Sequence, residues 1–302
     1  MPPGTLPKVA GRGTGAADTM SASQPENRMM SKPFACLALL LLPLAFAAQA
    51  ADPAPPDPTA DKLMVAAGFL THHPDLRYRL HGMEAMRKER YEDAYKFFRR
   101  ASFYADKPSQ GMVAEMLWNG QGVEADRPLA YAWMDLAAER GYAGFLGLRE
   151  RYWEAMDEAE RARALEVGKE VYAVYGDAAA RPRIDVELRR GRRQVTGSRL
   201  GAVGALKIYV PGPGGYQMID GSQFYNPRYW DPEQYHAWTD AVWQNPRIGT
   251  VRVGDLEQVR ADDLPAPGSR VPETAPASDA TAPEAPEVPD LPPPGIVPPA
   301  ED

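Results

Sequence analysis

The sequence predicts a mainly α-helical protein. We expect a short α-solenoid of about three helix-turn-helix repeats over 76–176, a small α+β module over 181–260, and a disordered, acidic, proline-rich tail over 261–302. Three observations support this prediction. Apolar residues recur at helical spacing on both sides of a glycine-rich turn near position 120, two short β-like runs flank a proline- and glycine-rich loop near position 213, and 12 of the 31 prolines lie in the tail.

The composition limits the number of cores and the kind of partner. With 302 residues, 44% of them hydrophobic, the chain can bury one sizeable core or two small ones. The tail holds nine acidic residues and one base, Arg270, so most of the net charge of -7 belongs to it. The rest of the chain is close to neutral, and its charge gives no indication of a nucleic-acid partner.

The clearest pattern is a pair of helices around position 120. Apolar residues between Met112 and Trp118 predict a first helix, and Gly120 follows where a helix end favours positive φ. Gly122 allows the chain to reverse, and Asp126 is a good N-cap for a second helix that ends at Gly141. The broad apolar face of that second helix consists of Leu129, Ala130, Trp133, Leu136, Ala137 and Ala138.

These residues resemble the Sel-one-like repeat, a relative of the tetratricopeptide repeat. The family's pattern is met by Gly120, Gly122, Val123, Asp126, Ala130, Trp133, Ala137, Ala138 and Gly141. Two departures are packing substitutions: Ala114 stands at the usual glycine and Leu117 at the usual tyrosine. The resemblance implies an adaptor role in protein assemblies and no catalytic chemistry.

One repeat cannot bury its own faces, so neighbouring repeats are expected on both sides. Upstream, Ala94, Phe97 and Ala101 stand 36 residues before Ala130, Trp133 and Ala137. Downstream, the stretch that ends at Gly176 repeats a leucine-glycine pair and a long second helix but lacks the glycine-valine turn. We therefore predict one clear repeat and two degenerate ones, which together cover about a third of the chain.

The first 50 residues are predicted to be a leader with a signal peptide over 29–50. Lys32 precedes an apolar run from Phe34 to Ala47, and small residues at Ala48 and Ala50 match a signal-peptidase site. The run is too short for a typical membrane span, so no transmembrane anchor is expected after cleavage near Ala50. We expect a periplasmic or secreted protein, with residues 51–75 as a linker.

Seven arginines between Arg181 and Arg199 open the predicted C-terminal module. They indicate an anion-binding surface, with Arg189, Arg190, Arg192 and Arg193 as its candidates, a solvated connector, or a set of arginines paired with carboxylates of the repeats. Two short strands then flank a five-residue loop, Pro211–Gly215, and Asp231 is expected to cap a helix. The stretch 249–253 is a further candidate strand.

Nine aromatic residues lie between Tyr209 and Trp243. They predict either a platform on which a glycan stacks or the core of a domain too small to use many aliphatic residues. Tyr225 and Trp230 are the candidate glycan-binding residues, because they belong to a stretch without regular periodicity.

No recognisable catalytic motif is present, and no cofactor is expected. His236 and Asp240 are four residues apart on a predicted helix, where they form either a proton- or metal-sharing pair or an ordinary surface pair. No metal site is predicted.

Two classes of function follow. The first is a non-enzymatic scaffold that binds an envelope protein or peptide in the groove of its repeats. Its candidate contact residues are Gln110, Glu115, Trp118 and Asn119 on the first helix of the clear repeat. Trp118 is either a binding hot spot or a packing residue on the preceding repeat or the Gly120 turn. The second class is an envelope glycan-binding protein or enzyme whose C-terminal aromatic and arginine-rich module carries the activity.

Overall fold

The computed structural model describes residues 57–194, 206–212, 214–244, 268–277 and 284–289. The predicted signal peptide over 29–50, the candidate strand at 249–253 and the remaining parts of the tail lie outside these described residues. Within them the protein is mainly helical, with a single two-stranded antiparallel sheet. None of the helices described is both long enough and apolar enough to cross a membrane.

Helices dominate the chain up to position 193. They are α1 (Lys62–Ala66), α2 (Pro74–Arg87), α3 (Tyr91–Ser102), α4 (Lys107–Asn119), α5 (Arg127–Ala137), α6 (Ala143–Ala155), α7 (Glu158–Tyr175) and α8 (Asp177–Arg193). Short 3-10 turns follow α1, at Phe69–His72, and α5, at Ala138–Arg140. Helix α2 packs on α3 and α4 on α5, while α5 also contacts α6 and α7.

The ends of α4 and α5 follow from local chemistry. The Asp126 carboxylate accepts a hydrogen bond from Leu129 N at 3.0 Å and so caps α5. Gly120 ends α4 with φ +66°, Gly122 follows with φ +71°, and Gly141 ends the 3-10 turn after α5 with φ +73°. All three glycines adopt the left-handed conformation that the turn pattern requires.

A first hydrophobic core lies among α2 to α7. Trp133 is only 2% exposed and packs on Tyr175, with ring centroids 4.6 Å apart. Ala130 and Ala137, on the same helix, are fully buried. Small residues on α5 allow neighbouring helices to approach closely, and the indole fills the space that remains.

A second core joins the first described helices to α8 and to the C-terminal segment that follows it. Met64, Phe69 and Leu76 pack there with Ile184 and Leu188 of α8 and with residues of the C-terminal segment. The predicted linker over 51–75 is therefore wrong for its second half, which forms α1, the 3-10 turn and the start of α2. Its apolar residues run consecutively from Leu63 to Ala67, so the sequence does not show one apolar face of a helix.

The predicted start of the C-terminal module at 181 is also wrong. Residues 181–193 continue helix α8, which presents Ile184, Leu188 and Gly191 to the interior. Six arginines stand among residues 181–193 and hide this narrow apolar stripe in the sequence. The module shares the second core with α8 and the N-terminal helices.

The rest of the C-terminal segment contains the hairpin and three helices. Strand β1 (Lys207–Gly212) pairs with β2 (Gly215–Asp220), so the ladder extends to Gly212 and Gly215 and the turn is shorter than the predicted five-residue loop. Helices α9 (Gly221–Phe224), α10 (Pro227–Trp230) and α11 (Pro232–Gln244) follow. Val210 and Ile219 are buried in the second core.

Two parts of the predicted disordered tail lie against the helices. Ala277 N donates a hydrogen bond to Ala173 O at 2.8 Å, and Arg100 Nη1 donates to Pro286 O at 2.8 Å. Val271 is buried. The average composition of the tail predicts disorder. Its contact with the helices depends instead on a few residues that bind complementary groups on α3 to α7.

Candidate functional site

The described tail residues 268–271 lie on a surface formed by three helices. We call this the tail-binding surface; its residues are Asp135 of α5, Arg149, Glu150 and Trp153 of α6, and Gly168 of α7. Helix α5 supplies the Asp135 carboxylate, α6 supplies an arginine, a second carboxylate and an indole, and α7 leaves an open space at Gly168.

Two buried charges define one end of this surface. Asp135 is fully buried and Arg149 is 3% exposed. The Ser269 hydroxyl and the Tyr172 hydroxyl, the latter at 3.0 Å, both donate to Asp135 Oδ2. Arg149 Nη1 donates to Gly268 O at 2.6 Å. Burial raises the pKa of Asp135, and the hydrogen bonds from Ser269 and Tyr172 oppose that rise.

Arg270 is held at the other end of the surface. Its guanidinium forms a two-point contact with the Glu150 carboxylate, in which Nη1 donates to Oε1 at 2.9 Å and Nη2 donates to Oε2. The same guanidinium lies over the Trp153 ring, 4.9 Å from its centroid. These contacts combine charge, geometry and stacking, which is a recognition mode suited to arginine.

Val271 occupies the open space beside α7. It is 6% exposed, and a Cβ atom added at Gly168 would come within 2.5 Å of its Cγ2 atom. The absence of a side chain at Gly168 therefore makes room for the isopropyl group.

The second tail segment lies in a separate groove. Glu284, Pro286 and Glu287 help line a cavity of about 430 Å³ between α3, α5 and α7. The helices contribute Tyr95, Lys96, Arg99, Leu129, Trp133 and Glu170, among others. Lysine and arginine side chains thus line the same groove as two tail glutamates.

The residues predicted on the first helix of the clear repeat do not form one surface. Asn119 is exposed, Glu115 is half-buried and burial raises its pKa, and Gln110 is fully buried. Trp118 is half-buried and stacks on Tyr152 of α6, with ring centroids 4.0 Å apart. Its ring partner is thus on α6, in the hairpin that follows, and the Arg127 guanidinium lies 4.6 Å from its ring centroid.

Gln110 has a structural partner at the end of α7. Its side-chain amide donates to Tyr175 O at 3.1 Å. The last four carbonyls of α7 accept from four different groups: Gly176 N at Tyr172 O, Ala277 N at Ala173 O, Arg183 Nη1 at Val174 O, and Gln110 Nε2 at Tyr175 O. These partners satisfy the carbonyls that a helix end leaves without intrahelical donors.

The candidate arginines stand near the end of α8. Arg189 pairs with Asp185 at 3.4 Å, Arg190 with Glu187 at 2.6 Å, and Arg192 with Asp231 at 3.6 Å. Arg193 is exposed on the same helix. Three of the four candidate arginines thus pair with carboxylates, but these carboxylates lie on α8 and beside α11 and not on the repeats. The segment is part of a helix and not a solvated connector.

The candidate aromatic residues belong largely to the core. Trp230 is 2% exposed and its indole N–H donates to Phe224 O at 2.6 Å, while Tyr225 is half-buried. The residues around them form α9 and α10 and are not an irregular loop. Exposed rings occur instead on the outer face of the hairpin, at Tyr209 and Tyr216.

A cluster of charged residues lies beside the second core. It surrounds a cavity of about 20 Å³ lined by Asp75, Arg79, Asp106, Lys107 and Arg140, among others. That volume holds about one water molecule and no larger ligand. Lys107 contacts Glu139 at 2.5 Å and Asp177 at 3.2 Å, so its buried charge is compensated. We assign this cluster a structural role.

His236 and Asp240 have separate partners. His236 Nε2 lies 2.8 Å from Asp185 Oδ1, whereas Asp240 Oδ1 accepts from the Tyr142 hydroxyl at 2.5 Å. No group of three potential metal-ligating side chains is close enough to hold an ion among the residues the structure describes.

Sequence reasoning missed every residue of the tail-binding surface. Two charges stand out in retrospect. Asp135 interrupts an otherwise apolar run from Ala130 to Ala138, and Arg270 is the single base in an acidic tail. A carboxylate in an apolar run and an arginine in an acidic tail could therefore have marked these residues as candidates. Neither position indicates which residue the side chain contacts.

Comparisons with known proteins found no match among family models, curated proteins or solved structures.

Proposed function

We propose that this protein is a non-enzymatic binding scaffold of the bacterial cell envelope, in which the helices hold a short peptide segment. One observation carries the proposal: the four consecutive tail residues 268–271 contact side chains of α5 and α6 and the surface of α7 beside Gly168. A surface that binds a short segment through both its backbone and its side chains has the properties of a peptide-binding site. The partner is an envelope protein or peptide.

The order of helix packing supports a Sel-one-like repeat architecture. Helices α2 and α3 pair, α4 and α5 pair, and α5 contacts the two helices that follow. This order is expected when successive helical hairpins stack. The glycine and aspartate positions of the repeat pattern stand at the ends of α4 and α5. Location in the periplasm or outside the cell rests on the signal peptide predicted over 29–50.

The proposal is tested by crosslinking in cells that express the full chain. Three forms are compared: the wild type, a vacated form with Arg270→Ala and Val271→Asp, and the vacated form with Glu150→Arg added. We expect the vacated form to capture more partner because the tail no longer competes, and Glu150→Arg to abolish the gain.

Glu154→Arg is the matched control, since Glu154 is exposed on the same helix, one turn after Glu150. It should leave capture unchanged. Equal capture by the vacated form with and without Glu150→Arg would show that partners bind elsewhere and would overturn the proposal.

A second candidate function, glycan binding by the C-terminal module, rests on the outer face of the hairpin. Tyr209 is 61% exposed and Tyr216 is 78% exposed, and both belong to the face on which Tyr209 pairs with Met218. Sugar rings stack on such exposed aromatic faces. Joint substitution of Tyr209→Ser and Tyr216→Ser should abolish sedimentation of the protein with purified cell-wall glycan, whereas Glu150→Arg should not affect it.

A further inference from the structure

The contacts at the tail-binding surface distinguish one residue type at each of several successive positions. At the first position, Arg149 Nη1 donates to the carbonyl oxygen of Gly268 at 2.6 Å, and the φ of +138° at Gly268 favours glycine there. At the second, Asp135 Oδ2 accepts a hydrogen bond from the Ser269 hydroxyl. Because Asp135 is fully buried, a residue without a donor at this position would leave a charged oxygen with one fewer hydrogen bond.

The third position selects arginine over lysine. Glu150 receives two parallel hydrogen bonds from Arg270, while the plane of the guanidinium lies over Trp153 and its Nη1 is 3.3 Å from the Tyr131 hydroxyl. A lysine ammonium has one nitrogen, so it cannot offer the two parallel N–H groups of a planar guanidinium to the carboxylate. Replacement by lysine would retain the charge and lose this geometry.

The fourth position selects a compact apolar residue. Val271 fills the space above Gly168, and among residues 268–277 of the described tail it alone is buried. An acidic side chain in this space would be desolvated without a compensating partner. Pro272 follows and is exposed, as are Glu273, Ala275 and Pro276.

The attachment of this segment is therefore limited to a few groups. One apolar side chain and a small number of polar contacts fasten it, and most of its remaining residues face solvent. A segment attached in this way competes with external peptides mainly because it is covalently tethered. Short flexible tethers correspond to effective concentrations on the order of millimolar.

We infer that the tail-binding surface is a sequence-specific site for short peptides with a hydroxyl residue, an arginine and a small β-branched residue in succession, and that the chain's own Ser269-Arg270-Val271 is its built-in competitor. This inference rests on the proposed scaffold function and adds the chemical identity of the ligand. A partner that carries the same three residues, with the same bend in which Val271 N donates to the Ser269 hydroxyl at 2.9 Å, makes the same contacts in place of the tail.

The test measures fluorescence anisotropy of a labelled peptide with the sequence of residues 266–277. The proteins are the full wild-type chain and the full vacated chain with Arg270→Ala and Val271→Asp. We expect the vacated chain to bind at least about tenfold more tightly, because it lacks the tethered competitor. Equal affinity for the two chains would overturn the inference. If the double variant does not fold, the single Arg270→Ala chain replaces it.

Peptide variants test the order of residues. Peptides with Arg270→Lys, with Val271→Asp, or with the middle residues scrambled should each bind the vacated chain at least about tenfold more weakly, as expected from the loss of a bidentate contact or a buried side chain. Equal binding by the scrambled peptide would overturn the sequence preference while leaving a general peptide-binding scaffold intact.

A charge exchange separates direct recognition from a structural effect. Glu150→Arg in the vacated chain should abolish binding of the original peptide and allow binding of a peptide with Arg270→Glu. Glu154→Arg should bind the original peptide normally. Failure of the exchange overturns the assigned contact. If no peptide binds but cellular capture still depends on Glu150, the ligand sequence is wrong and the scaffold function stands; loss of both results removes both proposals.

Discussion

Val271 occupies the position that a side chain at Gly168 would need: an added Cβ atom would lie 2.5 Å from Val271 Cγ2. Gly168 is within helix α7, where alanine is intrinsically more favourable than glycine by about 1 kcal/mol. The glycine therefore lowers the helix propensity of α7 at a place where the tail requires space.

Gly168→Ala should release the tail without destabilising the helices. Trypsin reports this release, because Arg270 is the single basic residue in 261–302. We expect faster cleavage after Arg270 in the variant, with a melting temperature at or above that of the wild type. Gly147→Ala is the control, since no atom lies within 4 Å of a Cβ at Gly147 in α6. An unchanged cleavage rate in Gly168→Ala would contradict the packing described.

The two turn glycines should differ in their tolerance of alanine. Both have positive φ, so each substitution strains the backbone by about 1–2 kcal/mol. At Gly120 the nearest atom to an added Cβ is Ala125 Cβ at 3.3 Å, whereas at Gly122 the Tyr91 carbonyl oxygen would lie at 2.5 Å. Gly122→Ala should therefore destabilise the protein more than Gly120→Ala. Urea unfolding of both variants measures the difference, and equal midpoints would refute it.

Truncation of Trp133 should be more damaging than truncation of Trp118. Trp133 is 2% exposed, so Trp133→Ala should lower the free energy of unfolding by about 3–5 kcal/mol. Trp118 is half-buried and stacked on Tyr152. Trp118→Ala should lower the free energy of unfolding by about 1–2 kcal/mol, mainly because that ring pair is lost. Denaturant titrations of the two variants test the order. A Trp118→Ala protein that unfolds as readily as Trp133→Ala would show that the stacked pair anchors α6.

Two buried groups should impose opposite pH dependences on stability. Burial and the nearby Asp106 raise the pKa of Asp75 to about 7, while burial lowers the pKa of His73 to about 4. Between about pH 4 and 7 the folded state holds the Asp75 proton more tightly than the unfolded state, so Asp75 makes stability fall as pH rises. His73 is neutral in the folded state, so between about pH 4 and 6.5 it makes stability increase with pH.

Asp75→Asn should remove the first effect and reveal the second. The variant keeps an acceptor for the Tyr235 hydroxyl, which donates to Asp75 Oδ2 at 2.5 Å. Relative to the wild type, its free energy of unfolding should increase from pH 4 to pH 7, by at most about 4 kcal/mol. Urea unfolding across this range provides the measurement. A constant difference between the two proteins at every pH would show that Asp75 titrates normally.

Local interactions explain what could be predicted from the sequence. Asp126 bonds to a backbone N–H three residues away, and Gly120 and Gly141 need only their own backbone freedom. Such signals act within one turn of the chain. The helical character, the turns of the clear repeat and the burial of Trp133 could therefore be predicted.

Helix α8 and the short helix α1 could not be predicted from local sequence patterns, because their burial depends on residues that are distant in the chain. Ile184 and Leu188 of α8 form a narrow stripe that arginines obscure, and Met64 belongs to a short helix. These residues become interior only because they meet one another in the second core. No local propensity shows that contact.

The sequence by itself determined the local conformations of the repeat and the unusual charges at Asp135 and Arg270. Only the tertiary structure decided that the tail meets the helices, because Ser269 and Asp135 are 134 positions apart and Arg270 and Glu150 are 120 apart. The sequence pattern of the tail does not predict its contacts with the helices, and the pattern of the helices does not predict them either. A hydrogen bond or ion pair between them depends on how α5, α6 and α7 pack. The packing of the helices also places Val271 in the space that a side chain at Gly168 would occupy.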